Sequence, residues 1–241
     1  NVRLIGEFMN DTKLSIEEEI RALRRTQLEL RELLIQEQDT LRDLAQRLWS
    51  QQEAERARLS QELHDGLGQL LTALTRRIQA ATDAGAVDPD ILEIATQALA
   101  DVRQLSRLMR PRILDDLGLA AALKWLVRTL CESSTIRTTV EIDLEEQPDS
   151  AMAIFVFRIA QEALTNAVRH GNPSLISVYV SRVGKALRLD VIDDGCGFNY
   201  DTVEQGVGLA SMRDRAAAFA AEFEILSRPG GGCHVSVLVP V

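Results

Sequence analysis

Between residues 12 and 50 the apolar positions recur at alternating steps of three and four: Ile16, Ile20, Leu23, Leu30, Leu34, Leu41, Leu44 and Leu48, with only Gln27 and Glu37 interrupting. A seam of this period kept over several heptads predicts a dimeric coiled coil, because on an unpartnered straight helix it would drift around the surface. The alternative is one long amphipathic helix packed on its own domain. Near Gln51–Glu55 the seam loses register and a new stripe begins: Leu59, Leu63, Leu67, Leu70, Leu74, Ile78 and Ala81. This second helix is expected to end around Asp83–Pro89, where Gly85 and Pro89 supply a turn. A third helix carries Ile91, Ile94, Ala98, Val102, Leu105 and Met109 on one face and stops at Pro111. Two antiparallel helices, each with one wet face, cannot close a core alone. Pairing with a second copy would complete a four-helix bundle.

Beyond about residue 115 the pattern changes. Residues 136–144 alternate as a strand does, and 150–170 read as a helix with Asp149 or Ser150 as cap and Gly171-Asn172-Pro173 as stop. Strands are expected at 174–181 and 186–193. A helix at about 208–221 then precedes strands at 222–227 and 233–239, joined through Pro229-Gly230-Gly231-Gly232. Helices interleaved with strands in this way predict a mixed sheet covered by helices.

Composition narrows the possibilities. The chain of 241 residues has 27 basic and 36 acidic side chains, a net charge of −9. That balance argues against nucleic acid as a partner, since neutralising phosphates needs a basic surface. No apolar run approaches the ~20 residues of a membrane span, and no signal peptide opens the chain. Residues 1–62 mix 10 basic with 13 acidic side chains, which suits a solvated helix flank. Three scattered cysteines (Cys131, Cys196, Cys233) form neither a disulfide framework nor a zinc site. Reduced thiols in the cytoplasm are expected. The first residue is Asn, and an input domain is expected upstream.

His64 sits on the second helix. With Leu63 as the centre of the apolar stripe, Leu59, Leu67, Leu70 and Leu74 lie within ~40° of it and His64 at ~100°, on the rim of the buried face. Asp65 and Gln69, four apart, stack beside it. Gly66 and Gly68 each cost about 1 kcal/mol in a helix relative to alanine, and their retention suggests that the imidazole needs room. The chemistry this suits is phosphoryl transfer to an imidazole nitrogen, a good nucleophile near neutral pH. A neighbouring carboxylate can accept the ring's other N–H, and Gln69 could hold a water for the reverse hydrolysis. An exposed histidine beside an incidental aspartate is the bland reading of the same residues.

The helix at 150–170 carries Glu162, Asn166 and Arg169 at i, i+4 and i+7, with His170 following on the same side. An amide oxygen is a hard ligand suited to Mg²⁺, and Arg169 suits a phosphate oxygen. After an apolar strand comes Asp193-Asp194-Gly195-Cys196-Gly197-Phe198. Its glycines allow close approach of a flat base, and its carboxylate can accept an exocyclic amine. Gly206-Val207-Gly208-Leu209 then opens a helix, where free N–H groups suit a phosphate. Each fragment alone reads as a tight turn; their order and spacing carry the signal.

Taken together these residues resemble a bacterial two-component sensor histidine kinase, of the nitrate-sensor and lipid-fluidity-sensor subfamily that partners LuxR-like response regulators. The resemblance spans about residues 53–241. It rests on the phosphoacceptor-like run from Glu55 to Gln69, on Leu108-Met109-Arg110-Pro111, and on Leu114-Asp115-Asp116-Leu117-Gly118-Leu119 as a link. Residues 158–171 resemble the N box, 193–198 the first glycine box and 206–213 the second.

The resemblance implies three modules: a signalling coiled coil (1–52), a dimerisation and phosphotransfer hairpin (53–112), and a Bergerat-type α/β sandwich that binds ATP (113–241). His64 would be the phosphoacceptor, Asp65 its base, and Asp65 with Gln69 a phosphatase pair. Asn166 would hold Mg²⁺, with Glu162, Arg169 and His170 near the phosphates. Asp193 would hold the adenine amine, Gly195 and Gly197 would shape its pocket, and Gly206 and Gly208 would flank a short lid. The chain would work as a homodimer and pass phosphate to an aspartate of a receiver domain. Two departures stand out: Phe219-Ala220-Ala221 replaces the family's usual Leu-Gly-Gly, and Cys233 replaces a common threonine. An ATPase clamp using Glu162 as base, and a non-catalytic dimeric scaffold, are the rival readings.

Overall fold

The computed structural model describes the backbone of residues 2–132, 134–199 and 207–240, and the side chains of these from 23 onward except 207. The chain divides into two compact units, residues 1–45 and residues 46–241. The first unit is helical throughout its described length, within α1 (Val2–Glu62). Its seam residues Leu23, Leu30, Leu34, Leu41 and Leu44 are all at least half exposed in the single chain, as an unpaired coiled-coil seam would be. Ile16 and Ile20 fall outside the described side chains.

In the second unit α1 continues without a break through 51–55, where a change of helix was expected. The seam loses register there because the helix changes partner. Trp49, Glu53 and Ser60 are buried, forming a face turned toward the rest of this unit. A π-helical turn, Leu63–Leu67, joins α1 to α2 (Gly68–Asp83). Then α3 (Pro89–Met109) returns antiparallel, started by Asp88, whose side chain accepts from the Asp90 N–H at 3.1 Å. Ser60 and Ser106 staple α1 to α3: each Oγ donates to the other's carbonyl, at 2.8 and 2.9 Å. Leu67, Leu70, Leu74, Ile91, Ile94 and Leu105 stay exposed, the apolar face that a second copy would cover.

Helix α4 (Arg112–Cys131) was not foreseen from the sequence. Its stripe Leu119, Ala122, Leu123, Leu126 and Val127 is almost fully buried and has helical spacing. Gly118 interrupts it with φ 79°, a left-handed conformation that favours glycine. There the Leu119 N–H donates to Gln147 Oε1 at 3.1 Å, and a side chain at Gly118 would meet that same Gln147.

The C-terminal part of the second unit is built on a five-stranded sheet in the order β1-β2-β3-β5-β4. It comprises β1 (Arg137–Asp143), β2 (Leu175–Val183), β3 (Ala186–Asp193), β4 (Glu222–Ser227) and β5 (Cys233–Pro240). β1 and β2 pair in parallel, the rest antiparallel. Between β1 and β2 runs α5 (Ser150–Asn166), capped by Asp149, whose carboxylate accepts from the Met152 N–H at 2.8 Å. Phe155, Phe157, Ile159 and Leu164 of α5 are fully buried, each stabilising the fold by about 1.5–3 kcal/mol. Helix α6 (Val207–Ala218) lies against α5.

With the turn that follows it, α5 makes a 22-residue apolar helix, Ser150–Gly171, long enough to cross a membrane. This corrects the expectation that no apolar run approaches that length. Two-thirds of it is buried inside the fold, as in a core helix.

Candidate functional site

The site residues lie around two cavities that share no lining residue. The first, of about 630 Å³, lies between α5, the end of β3, the start of β5 and the first turns of α6. Glu162 and Asn166 reach it from α5. The helix then widens into a π-helical turn, Ala167–Gly171, so Arg169 and His170 are delivered to the cavity by that turn and not by α-helical spacing. Asn172, left-handed at φ 47°, ends it.

The two carboxylates at the end of β3 have different tasks. Asp194 turns away and accepts from the Ser174 and Leu175 N–H groups at 2.7 and 2.8 Å, tying down the start of β2. The Ser174 hydroxyl bond and those amides hold its carboxyl below the usual range. Asp193 lines the cavity. It accepts from the Gly195 N–H at 2.9 Å and from the backbone of Cys233, its partner in the β3–β5 register. Burial, helped by the neighbouring charge of Asp194, outweighs those bonds and raises the Asp193 carboxyl. The replacement of a common threonine by Cys233 leaves this bond intact, since the main chain supplies it. Burial beside Asp193 pushes the Cys233 thiol up to about 11.

The glycines fit by close approach. A side chain at Gly195 would strike the Gly171 carbonyl, and one at Gly208 would overlap the Glu162 carboxylate. Gly197, at φ 56°, is packed under the Arg228 and Gly232 carbonyls. Gly197 and Gly208 line the cavity, whereas Gly195 is buried behind it. Gly206, with most of the expected lid, lies outside the described residues. Sequence reasoning missed Val191 and Met212 in the apolar wall; the inward alternation of β3 and the buried face of α6 could have indicated them.

Glu162 and Asn166 offer hard oxygen ligands one helical turn apart. Among the described residues no cluster of three or more His, Cys, Asp or Glu side chains could hold a metal alone. The fit to Mg²⁺ rests on donor chemistry: that ion is usually held by one or two protein oxygens while substrate phosphates and water complete the shell.

His64 lines the second cavity, of about 690 Å³, bounded by α1, α3 and α4. The ring belongs to the π-helical turn and is exposed, as are Asp65 and Gln69. Among the described residues no hydrogen bond joins Asp65 to the imidazole. The expectation that Gly66 and Gly68 clear space for the ring is corrected: a side chain at Gly66 would meet nothing, and one at Gly68 only the Leu63 carbonyl at 3.4 Å. What the two glycines adjoin is the widened turn itself, a feature frequent at functional sites.

A helical hairpin presenting an exposed imidazole, joined to an α/β sandwich with an acid-and-amide cavity, is the architecture of the histidine kinase class. Comparison with known proteins gives the family. Residues 55–114 match a family profile described as histidine kinase, and residues 151–241 one described as histidine kinase-, DNA gyrase B- and HSP90-like ATPase. The sensor histidine kinase MctS of Rhizobium johnstonii is 35% identical over 208 residues, covering 79% of this chain and 44% of that protein. The signal transduction histidine-protein kinase/phosphatase UhpB of Salmonella typhimurium is also 35% identical, over 82% of this chain and 41% of that one. The sensor protein VraS of Staphylococcus epidermidis is 35% identical over 78% and 56%. In fold, the histidine kinase domain of the Erythrobacter litoralis EL346 blue-light activated histidine kinase matches with TM-score 0.50 at 20% identity, over 79% of this chain and 94% of that one. The chain belongs to the two-component sensor histidine kinases. It spans about half the length of the curated relatives it matches.

Proposed function

We propose that this chain is the autokinase core of a sensor kinase that works in the cytoplasm. In this reading residues 1–52 carry the signal, 53–112 form the dimer and present His64, and 113–241 bind ATP. Adenine enters the cavity with its amine on Asp193, its base plane against the Gly195–Gly197 turn, and its phosphates toward Arg169 and His170. Asn166 and Glu162 hold Mg²⁺, which when bound neutralises phosphate charge. Gly206 and Gly208 flank the lid over the phosphates. The His64 ring nitrogen attacks the γ-phosphorus, and the bond from that phosphorus to the bridging oxygen breaks, leaving ADP. Asp65 takes the other ring proton. Catalysis is then mainly positioning and charge neutralisation. A second copy covers the apolar face of α2 and α3, giving the homodimer. The phosphoryl group passes to an aspartate of a response-regulator receiver domain. UhpB's description as a kinase/phosphatase and the exposure of Asp65 and Gln69 favour a second activity on the same helix, in which Gln69 orients the water that hydrolyses the phosphorylated regulator.

The observation that carries the proposal is the gathering of Glu162, Asn166, Arg169, His170 and Asp193 around one cavity. The test is incubation with γ-labelled ATP followed by acid and base treatment. An acid-labile, base-stable label is expected, and His64→Gln should abolish it while ATP binding persists. Full incorporation in His64→Gln would overturn the assignment.

A further inference from the structure

The cavity around His64 is basic. Arg103 and Arg107, one turn apart on α3, and Arg110, the extended residue that follows it, line it together with Arg112 of α4. Its single lining carboxylate, Asp115, is already paired with Arg110 at 3.0 Å. Arg103 donates to Thr72 Oγ1 at 3.1 Å, and Arg107 donates its Nε to the Arg103 carbonyl at 3.2 Å. Among the described residues none of Arg103, Arg107 and Arg112 meets a carboxylate. The Ser60–Ser106 staple lies one turn before His64 and fixes the arginine face of α3 toward that turn. Trp125 of α4 also lines the cavity. A concentration of uncompensated cations beside a nucleophile, in a chain of net charge −9, is a site waiting for an anion.

We infer that Arg103, Arg107 and Arg112 form a retaining site for the phosphoryl group after it has reached His64. The inference rests on His64 being the phosphoacceptor. The planar fork of a guanidinium matches phosphoryl oxygens, and such charge-assisted bonds are about twice as strong as neutral ones. Loss of the group to water needs a water oxygen to bond phosphorus in line as the P–N bond breaks and the ring nitrogen recovers a proton. That path runs through a loose transition state in which phosphorus moves away from the ring. Guanidiniums on its oxygens stabilise the bound phosphoryl dianion more than the departing metaphosphate-like group, which carries less negative charge. These residues act on the stability of phosphohistidine and lie apart from the nucleotide cavity.

The test uses the full chain labelled with γ-labelled ATP and Mg²⁺, freed of nucleotide, and followed at neutral pH without a regulator. Decay is first order and read per labelled chain, so weaker labelling does not disturb it. Arg103→Gln/Arg107→Gln is expected to shorten the half-life roughly tenfold, equivalent to about 1.4 kcal/mol. Arg107→Lys, which keeps the charge, should fall between wild type and Arg107→Gln. Arg77→Gln, on α2 outside the cavity, should match wild type. In a second arm on the wild type, sulfate should hasten decay relative to chloride at equal ionic strength, by competing for the same forks. Unchanged or slower decay in the double variant, Lys no better than Gln, or equal decay in the two salts overturns the inference while leaving the autokinase intact. A wild type that takes up no label, or a His64→Gln chain that takes up as much, overturns the autokinase reading and this one with it.

Discussion

The junction between α1 and α5 turns on one arginine. Arg158 and Glu53 have side chains 2% and 4% exposed. Arg158 Nε donates to both Glu53 oxygens at 3.0 Å, and Nη2 donates to Glu53 Oε2 and to the Met109 carbonyl, both at 2.6 Å. Nη1 donates to Gln161 Oε1 at 2.7 Å and to the Leu108 carbonyl at 3.2 Å. One side chain thus joins α1, the end of α3 and α5. Burial lowers the proton affinity of Arg158, and Glu53 counters it. Arg158→Met strands a buried carboxylate and the Met109 carbonyl, while the Leu108 carbonyl keeps Gln161 Nε2 at 2.9 Å, a loss of about 3–5 kcal/mol for such a pair. Arg56, 3.5 Å from Glu53, softens this toward the lower figure. Glu53→Met/Arg158→Met removes both charges and should recover most of the loss, since an apolar replacement of a buried pair is often close to neutral. Urea unfolding followed by Trp fluorescence is the assay, because Trp49 packs edge-on to Phe219 at 4.9 Å in this same junction. A single variant within about 1 kcal/mol of wild type, below what a stranded buried charge should cost, or a double variant no more stable than the single, would refute the reasoning.

Other outcomes follow from the same structure. Ala220, exposed at φ 50°, stands at the left-handed position that ends α6, where Ala221 N–H bonds the Ala216 carbonyl and Ala220 N–H the Ala217 carbonyl. Ala220→Gly should relieve about 1–2 kcal/mol of left-handed strain against about 0.4–1 kcal/mol of added chain entropy. The Tm should rise by about 1–4 °C; a fall in calorimetry would contradict it. Because the folded carboxyl of Asp193 is raised above its ordinary 3.8, it loses its charge earlier on acidification than an unfolded aspartate, and the penalty for burying that charge disappears as pH falls through the raised value. ADP affinity by calorimetry should therefore weaken on acidification through that value, and Asp193→Asn should bind weakly with that part of the slope gone. A slope unchanged in the variant would exclude Asp193 as its source. Cys233, raised to about 11, should resist iodoacetamide at neutral pH while exposed Cys196 reacts; mass spectrometry showing the reverse order would contradict the burial argument.

Much of this was legible because local rules and tertiary structure agree. The Asp149 cap and the strands at β2 to β5 are periodicity and turn chemistry expressed directly. The cavity residues were legible because Glu162, Asn166 and Asp193 are polar groups set among apolar positions. The π-helical turns were not legible, since nothing in residue spacing separates an i→i+5 turn from an i→i+4 one. The unbroken α1 was misread because a change of packing partner looks, in sequence, like the end of a helix. Arg158 left a signal that was overlooked: one cation inside Phe155-Val156-Phe157-Arg158-Ile159-Ala160 requires a buried partner. Glu53 was not identified as that partner because 105 residues separate them.

The two cavities share no lining residue, so this arrangement holds nucleotide and imidazole apart. In the proposed autokinase, transfer within one chain would require the sandwich to move relative to the hairpin. What resists that movement is concentrated in one place: the Glu53–Arg158 pair and the Trp49–Phe219–Phe155 stack, whose second contact is 4.5 Å between ring centroids. The two contributions from α1, Trp49 and Glu53, come just after the last leucine of the stripe, Leu48, and Gln46, just before it, donates to the Ala218 carbonyl at 2.8 Å. A rotation of α1 would therefore act on the junction and, through Ala57, Ser60 and Gln61, on the wall of the cavity beside His64. Residues 46–53 of α1 thus hold the sandwich through contacts that a rotation of this stretch would change.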